Sequence, residues 1–158
     1  MALTLELDPE FAARLPAGVD PFDYLLHLDG EMFRDMQERR TLRFTLGERR
    51  YILKAHLGVG WSEIFKSLLQ LRLPVLGARN EWQALNKLQR LGVDTMHVVA
   101  YGERGRNPAR RESFIVTEAL EDTESLEDFC ADWDTRPPVG RAALRLKRAL
   151  ITRVASIA

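Results

Sequence analysis

Thr41-Leu42-Arg43-Phe44-Thr45-Leu46-Gly47-Glu48-Arg49-Arg50-Tyr51-Ile52-Leu53-Lys54 holds two strand-like runs, Thr41–Leu46 and Arg50–Lys54, on either side of a short glycine-bearing turn. Runs of this length, rich in β-branched and aromatic residues and split by Gly47-Glu48-Arg49, read as an antiparallel hairpin. In Tyr51-Ile52-Leu53-Lys54, the two-residue period of a strand puts Ile52 and Lys54 on one face and Tyr51 and Leu53 on the other. A third run, Met32–Met36, precedes them across Glu38-Arg39-Arg40, which is again of turn length. The three make a meander.

Beyond the meander, Gly58-Val59-Gly60 leads into a helical pattern with Trp61, Ile64, Phe65, Leu68 and Leu69 on one stripe. Pro74 and Gly77 break it. A second helix is expected from about Asn80 to Leu91, with Trp82, Leu85 and Leu88 apolar and Gly92 closing it. Two more strands follow, His97–Tyr101 and Ser113–Glu118, joined by the Arg- and Gly-rich Gly102–Arg111. On the other side of the meander, Asp20-Pro21 starts a short helix, with Asp as N-cap and Pro at the first helical position. After Leu120, an acidic segment carries a short helix at Ser125–Trp133. Pro137-Pro138 and Gly140 mark a linker, and Arg141–Ala158 forms a last helix.

The pattern predicts an α+β lobe in which a five-stranded antiparallel sheet packs against helices. Its expected limits are residues 31–120, with an N-terminal helical extension over 1–30. Hinge, linker and the first helices of an incomplete second lobe would occupy 121–158. The last helix stops within an apolar pattern (Leu144, Leu146, Leu150, Ile151, Val154, Ile157), so more chain is expected after it.

Lys+Arg and Asp+Glu each number 23 in the 158 residues, which gives no argument for a nucleic-acid partner. The charge is unevenly spread. Residues 31–90 hold 12 basic and 6 acidic side chains, an excess that suits a polyanionic ligand such as nucleotide phosphates, a phosphorylated glycolipid or a membrane surface. Cys130 is the sole cysteine, so no intrachain disulfide forms, as suits a reducing compartment. Met1–Pro9 lacks the basic and apolar regions of a signal peptide. No apolar run approaches the roughly 20 residues of a membrane span. These features predict a cytoplasmic protein, at most peripheral to a membrane. His27, His56 and His97 lack ligand spacing, and no metal site is expected of them. The phosphate-loop, dinucleotide and hydrolase-elbow motifs are absent.

Lys54 ends a strand, and Glu81 opens the helix expected to pack on it. A strand lysine held by a helix glutamate is how the protein-kinase fold fixes a cation on the α- and β-phosphates of ATP. In the same frame Glu38, Arg39 and Arg40 form the turn over the phosphates. No glycine stands there, so guanidinium groups or backbone N–H donors would meet the nucleotide. Phe114–Leu120 is then the strand running into the hinge. Glu118 offers its carbonyl and Leu120 its N–H to adenine, with Ala119 between them. Thr117 guards the back of the pocket and Ile52 covers the ring.

The blocks Arg39–Phe44, Tyr51–Lys54, Gly58–Lys66 and Leu73–Trp82 resemble the lipopolysaccharide core heptose kinases, and the resemblance runs from about Gly30 to Trp133. It implies a protein-kinase-like fold and ATP as donor with a divalent metal, Mg2+. The implied acceptor is a heptose hydroxyl of the lipopolysaccharide inner core, met at the inner face of the cytoplasmic membrane. Lys54 and Glu81 carry over as the phosphate-anchoring pair and Glu118–Leu120 as the hinge. The catalytic Asp and the metal-binding Asp should follow Ala158, so the 158-residue chain alone is expected to be inactive. The stretch Trp61–Leu76, amphipathic and flanked by Lys66, Arg72 and Arg79, could face the core. It could instead meet an anionic membrane, an acyl chain or an acidic partner. Two other readings stand beside the heptose kinase: a kinase for the neighbouring keto-sugar acid, and a non-catalytic kinase-like module binding lipid, acyl chain or an acidic protein.

Overall fold

The computed structural model describes residues 3–36, 39–58, 60–69, 77–137 and 139–156, with side chains at all of these except 34–36, 62–64, 67 and 68. Glu38 of the phosphate turn and residues 70–76 of the amphipathic stretch lie outside them. The chain divides into two units, the first ending at Ala119 and the second beginning at Leu120.

The first unit is built on one antiparallel sheet. Its strands are β1 (Leu3–Leu7), β2 (Glu31–Met36), β3 (Arg39–Leu46), β4 (Arg49–His56), β5 (Val98–Arg104) and β6 (Glu112–Glu118). They lie in the order β1-β5-β6-β4-β3-β2. The meander β2-β3-β4 and the β5-β6 pair are the five strands expected. The sixth, β1, comes from the stretch read as a helical extension. Leu3-Thr4-Leu5-Glu6-Leu7 alternates in strand fashion and pairs along β5, from Leu3 opposite Arg104 to Leu7 opposite Ala100. The β3–β4 turn is the two residues Gly47-Glu48, with φ 66 at Gly47, the backbone a type II′ hairpin turn needs at its first position.

Each face of the sheet has its own cover. Helices α1 (Pro9–Ala12) and α2 (Pro21–Leu26) start at Asp8 and Asp20, whose carboxylates accept from the first free N–H groups. They bury Phe11, Phe22, Leu25 and Leu26 against Leu42, Phe44, Tyr51, Leu53, Phe114 and Val116. Phe11 meets the Tyr51 ring edge-on at 5.0 Å, and Phe44 stacks on Tyr51 at 5.4 Å. Arg104 ties α2 down, lying over the Phe22 ring and pairing with Asp23 and Glu112, both at 2.8 Å.

The opposite face takes α4 (Arg79–Arg90), through Ala78, Leu85 and Trp82 against Tyr101 and Ile115. A bulge at Val98–Ala100 lets Val99 and Ala100 both enter the first core and presents Tyr101 to α4. Helix α3 (Gly60–Leu69) precedes α4. The second unit holds α5 (Leu126–Phe129), capped by Ser125, and α6 (Gly140–Ala155), on which Leu144, Ile151 and Val154 are exposed.

Candidate nucleotide-binding site

Alternation along β4 puts Lys54 on the α4 side of the sheet, with Thr41 of β3 and Ile115 of β6 as its cross-strand neighbours. Its Nζ donates to Oε1 of Glu81 at 2.5 Å. The two side chains keep 37% and 32% exposure. An ion pair this open contributes only about 0–1 kcal/mol to stability. Its chemical value is a cation of fixed position at the sheet surface, available to phosphate oxygens.

The other residues singled out from the sequence are divided by the pleat. Ile52 stands opposite Thr117, on Lys54's face. Thr117 is buried, with its hydroxyl 4.0 Å from Met96 Sδ. Arg39 stands opposite His56 and shares that face. Arg40 points the other way: its guanidinium donates to Leu28 O at 3.3 Å and lies 3.6 Å from Asp29. It braces the loop after α2, so the cross-strand geometry joins only one of the two arginines to the lysine.

At the end of β6, Glu118 N–H donates to His97 O at 3.0 Å and Ala119 N–H to Arg50 O at 2.9 Å. The Glu118 carboxylate pairs with Arg49 at 2.9 Å and lies 3.7 Å from His97 Nδ1. The backbone of Glu118 and Ala119 is therefore fixed to the neighbouring strands. Leu120 opens the second unit.

One residue near the pair escaped the sequence reading, which weighed histidines only as metal ligands. His56 lies two residues past Lys54 on the same face, and its Nδ1 is buried with no hydrogen-bond partner. Its pKa is lowered, first by burial and then by the Arg39 charge, with Glu81 opposing and Lys54 reinforcing. Strand parity from Lys54 is the signal that could have found it.

On α3, Trp61, Phe65 and Leu69 recur every four residues and are 50%, 59% and 86% exposed. The two aromatic rings lie 6.0 Å apart. Three large apolar side chains on one face of α3 are thus exposed. Among the described residues no group of three or more His, Cys, Asp or Glu converges as a metal cage. The Mg2+ that the resemblance implies has no ligand set among them. No helix among them is long and apolar enough to cross a membrane.

An antiparallel sheet carrying a lysine on a central strand, ion-paired to a glutamate on the helix across its face, has the architecture of the N-lobe of protein-kinase-like folds. The chain belongs to the lipopolysaccharide kinase (Kdo/WaaP) family, whose profile it matches over residues 23–158. It is 52% identical over 153 residues to the lipopolysaccharide core heptose(I) kinase WaaP of Escherichia coli, covering 97% of this chain and 56% of that protein. It is 52% identical over 155 residues to the protein of the same name from Pseudomonas aeruginosa, covering 98% and 55%. A solved structure of WaaP in complex with acyl carrier protein superposes with a TM-score of 0.74 at 44% identity, covering 98% of this chain and 54% of that one. The chain thus spans about half the length of the relatives it matches.

Proposed function

We propose that this chain is the nucleotide-binding lobe of an ATP-dependent kinase that phosphorylates a heptose of the lipopolysaccharide inner core. The Lys54–Glu81 ion pair carries the reading. In it, Lys54 meets the α- and β-phosphates while Glu81 fixes the ammonium, and Arg39 approaches the phosphates from the neighbouring strand. Adenine lies between Ile52 and the end of β6, with Thr117 behind it. The Ala119 N–H is already engaged by Arg50 O. In this reading the Glu118 carbonyl is the acceptor offered to adenine. The base that takes the heptose proton and the ligands of a divalent ion are not assigned to any residue of this chain. The reaction takes place on the cytoplasmic side of the inner membrane, where ATP and the growing core meet.

Lys54→Ala in the full-length protein tests this. Transfer of the γ-phosphate to a heptose-containing core acceptor should fall about 100-fold or more, as when a preorganised electrostatic group is removed. Transfer at the wild-type rate would end the kinase reading.

The exposed α3 stripe supports a second element of function. We infer that Trp61, Phe65 and Leu69 receive an acidic, acyl-bearing protein of the acyl-carrier type, the partner present in the solved relative. Lys66 on the same helix supplies positive charge. Phe65→Asp should abolish co-purification with acyl carrier protein, whereas flotation with anionic liposomes that survives loss of the carrier would move the surface to the membrane.

A further inference from the structure

The ion pair is too exposed to hold a helix by itself, so something else must keep Glu81 where Lys54 can reach it. Helix α4 begins without a side-chain cap, because its N-cap position is Ala78. The Ala78 N–H instead donates 3.0 Å to the hydroxyl of Ser113, a fully buried side chain on β6. Ser113 pairs across to His56 and Ile115 to Lys54, so this hydroxyl sits on the strand beside the lysine's own.

The contact is tightly fitted. A Cβ on Gly77 would stand 2.6 Å from the Ser113 hydroxyl oxygen, so only glycine lets the chain approach that close. One residue on, Arg79 pairs with Glu103 at 3.3 Å. The Tyr101 phenol donates to Glu103 Oε2 at 3.0 Å. Trp82 stacks on the Tyr101 ring at 4.6 Å with 14° between planes. Residues 78, 79 and 82 are thus each fixed to β5 or β6, and Glu81 lies among them.

We propose that Ser113, backed by Tyr101 and Glu103, is the positioning device for the Lys54–Glu81 pair. It holds α4 in the paired position. The consequence for ATP rests on the kinase reading above; the pairing itself does not.

The test is made in the full-length protein without nucleotide. The rate at which an amine-directed acylating reagent modifies Lys54, read by peptide mass spectrometry at pH 8, reports how far the Glu81 carboxylate occupies its Nζ. Glu81→Gln sets the scale of a broken pair, expected at about threefold faster acylation or more. Ser113→Ala should recover most of that increase, and Tyr101→Phe, which keeps the stacked ring, a part of it. Both should raise KM for ATP more than they lower kcat. Wild-type acylation in Ser113→Ala, or in Tyr101→Phe should the former not fold, would overturn the proposal. So would a Glu81→Gln protein acylated at the wild-type rate. Faster acylation with an unchanged KM would leave the positioning role standing and refute the nucleotide reading.

Discussion

Lys54 and Glu81 sit a third exposed, and that exposure separates what they do for stability from what they do for chemistry. Glu81→Gln should change the unfolding free energy by no more than about 1 kcal/mol, the upper range for an open ion pair. On the kinase reading, the same change in the full-length protein should lower kcat/KM about 10- to 100-fold, because it would misplace the cation proposed to meet the phosphates. Urea melts and initial rates on the same preparation would show the two effects parting. His56 behaves differently. Its folded-state pKa is depressed below the ordinary 6.5, chiefly by burial. Above pH 6.5 it is neutral in both states and has no effect. As pH falls below 6.5 the unfolded chain takes up the proton first and stability drops, levelling off once the folded form protonates too. Urea midpoints between pH 7.5 and 5 should slope downward in the wild type and less steeply in His56→Gln. Equal slopes would show that His56 is not the group responsible.

At the scale of elements, the covering of both sheet faces makes α1 and α2 part of the core and not an appendage. Phe22 is buried against Phe114, their rings 5.2 Å apart, and lies beneath Arg104. Phe22→Ala should therefore cost about 3–5 kcal/mol, measured by chemical denaturation. The meander was legible because its strands are adjacent in sequence and alternate cleanly. So were Asp20-Pro21 as a helix start and the facing of Ile52 and Lys54. β1 alternates just as well, yet its partner lies about 100 residues away, and nothing local says where a five-residue edge strand will pair. For the same reason the α1–α2 cover of the Tyr51 and Leu53 face was not foreseen. Arg39 and Arg40 show a finer limit. Adjacent residues in a strand point to opposite faces, so a turn motif assigned as a block divides once the register is known. The Lys54–Glu81 pairing was readable in advance because strand parity and helix order both constrain it. The Ser113 contact was not, since a lone serine in an apolar strand has no distinguishing pattern.

For the molecule as a whole, the boundary after Ala119 separates a sheet-centred unit from a helical one. The residues that follow, 120–129, are exposed and carry Glu121, Glu124 and Glu127. A glutamate-specific protease should cut this chain there first and leave a fragment ending at Glu121 or Glu124. That fragment should keep the far-ultraviolet dichroism and unfolding midpoint of the sheet unit. Early cuts at Glu103 or Glu112, both within strands, would contradict the division.

The pairing of β1 with β5 also sets a schedule for synthesis. Leu7 leaves the ribosome about 90 residues before Ala100, its partner in the sheet. At about 5–20 residues per second, the first strand waits roughly 5–20 s with its backbone groups unmatched. Throughout that wait Leu3, Leu5 and Leu7 are a nascent sticky edge, and the lobe closes only when its earliest and nearly its latest strands meet.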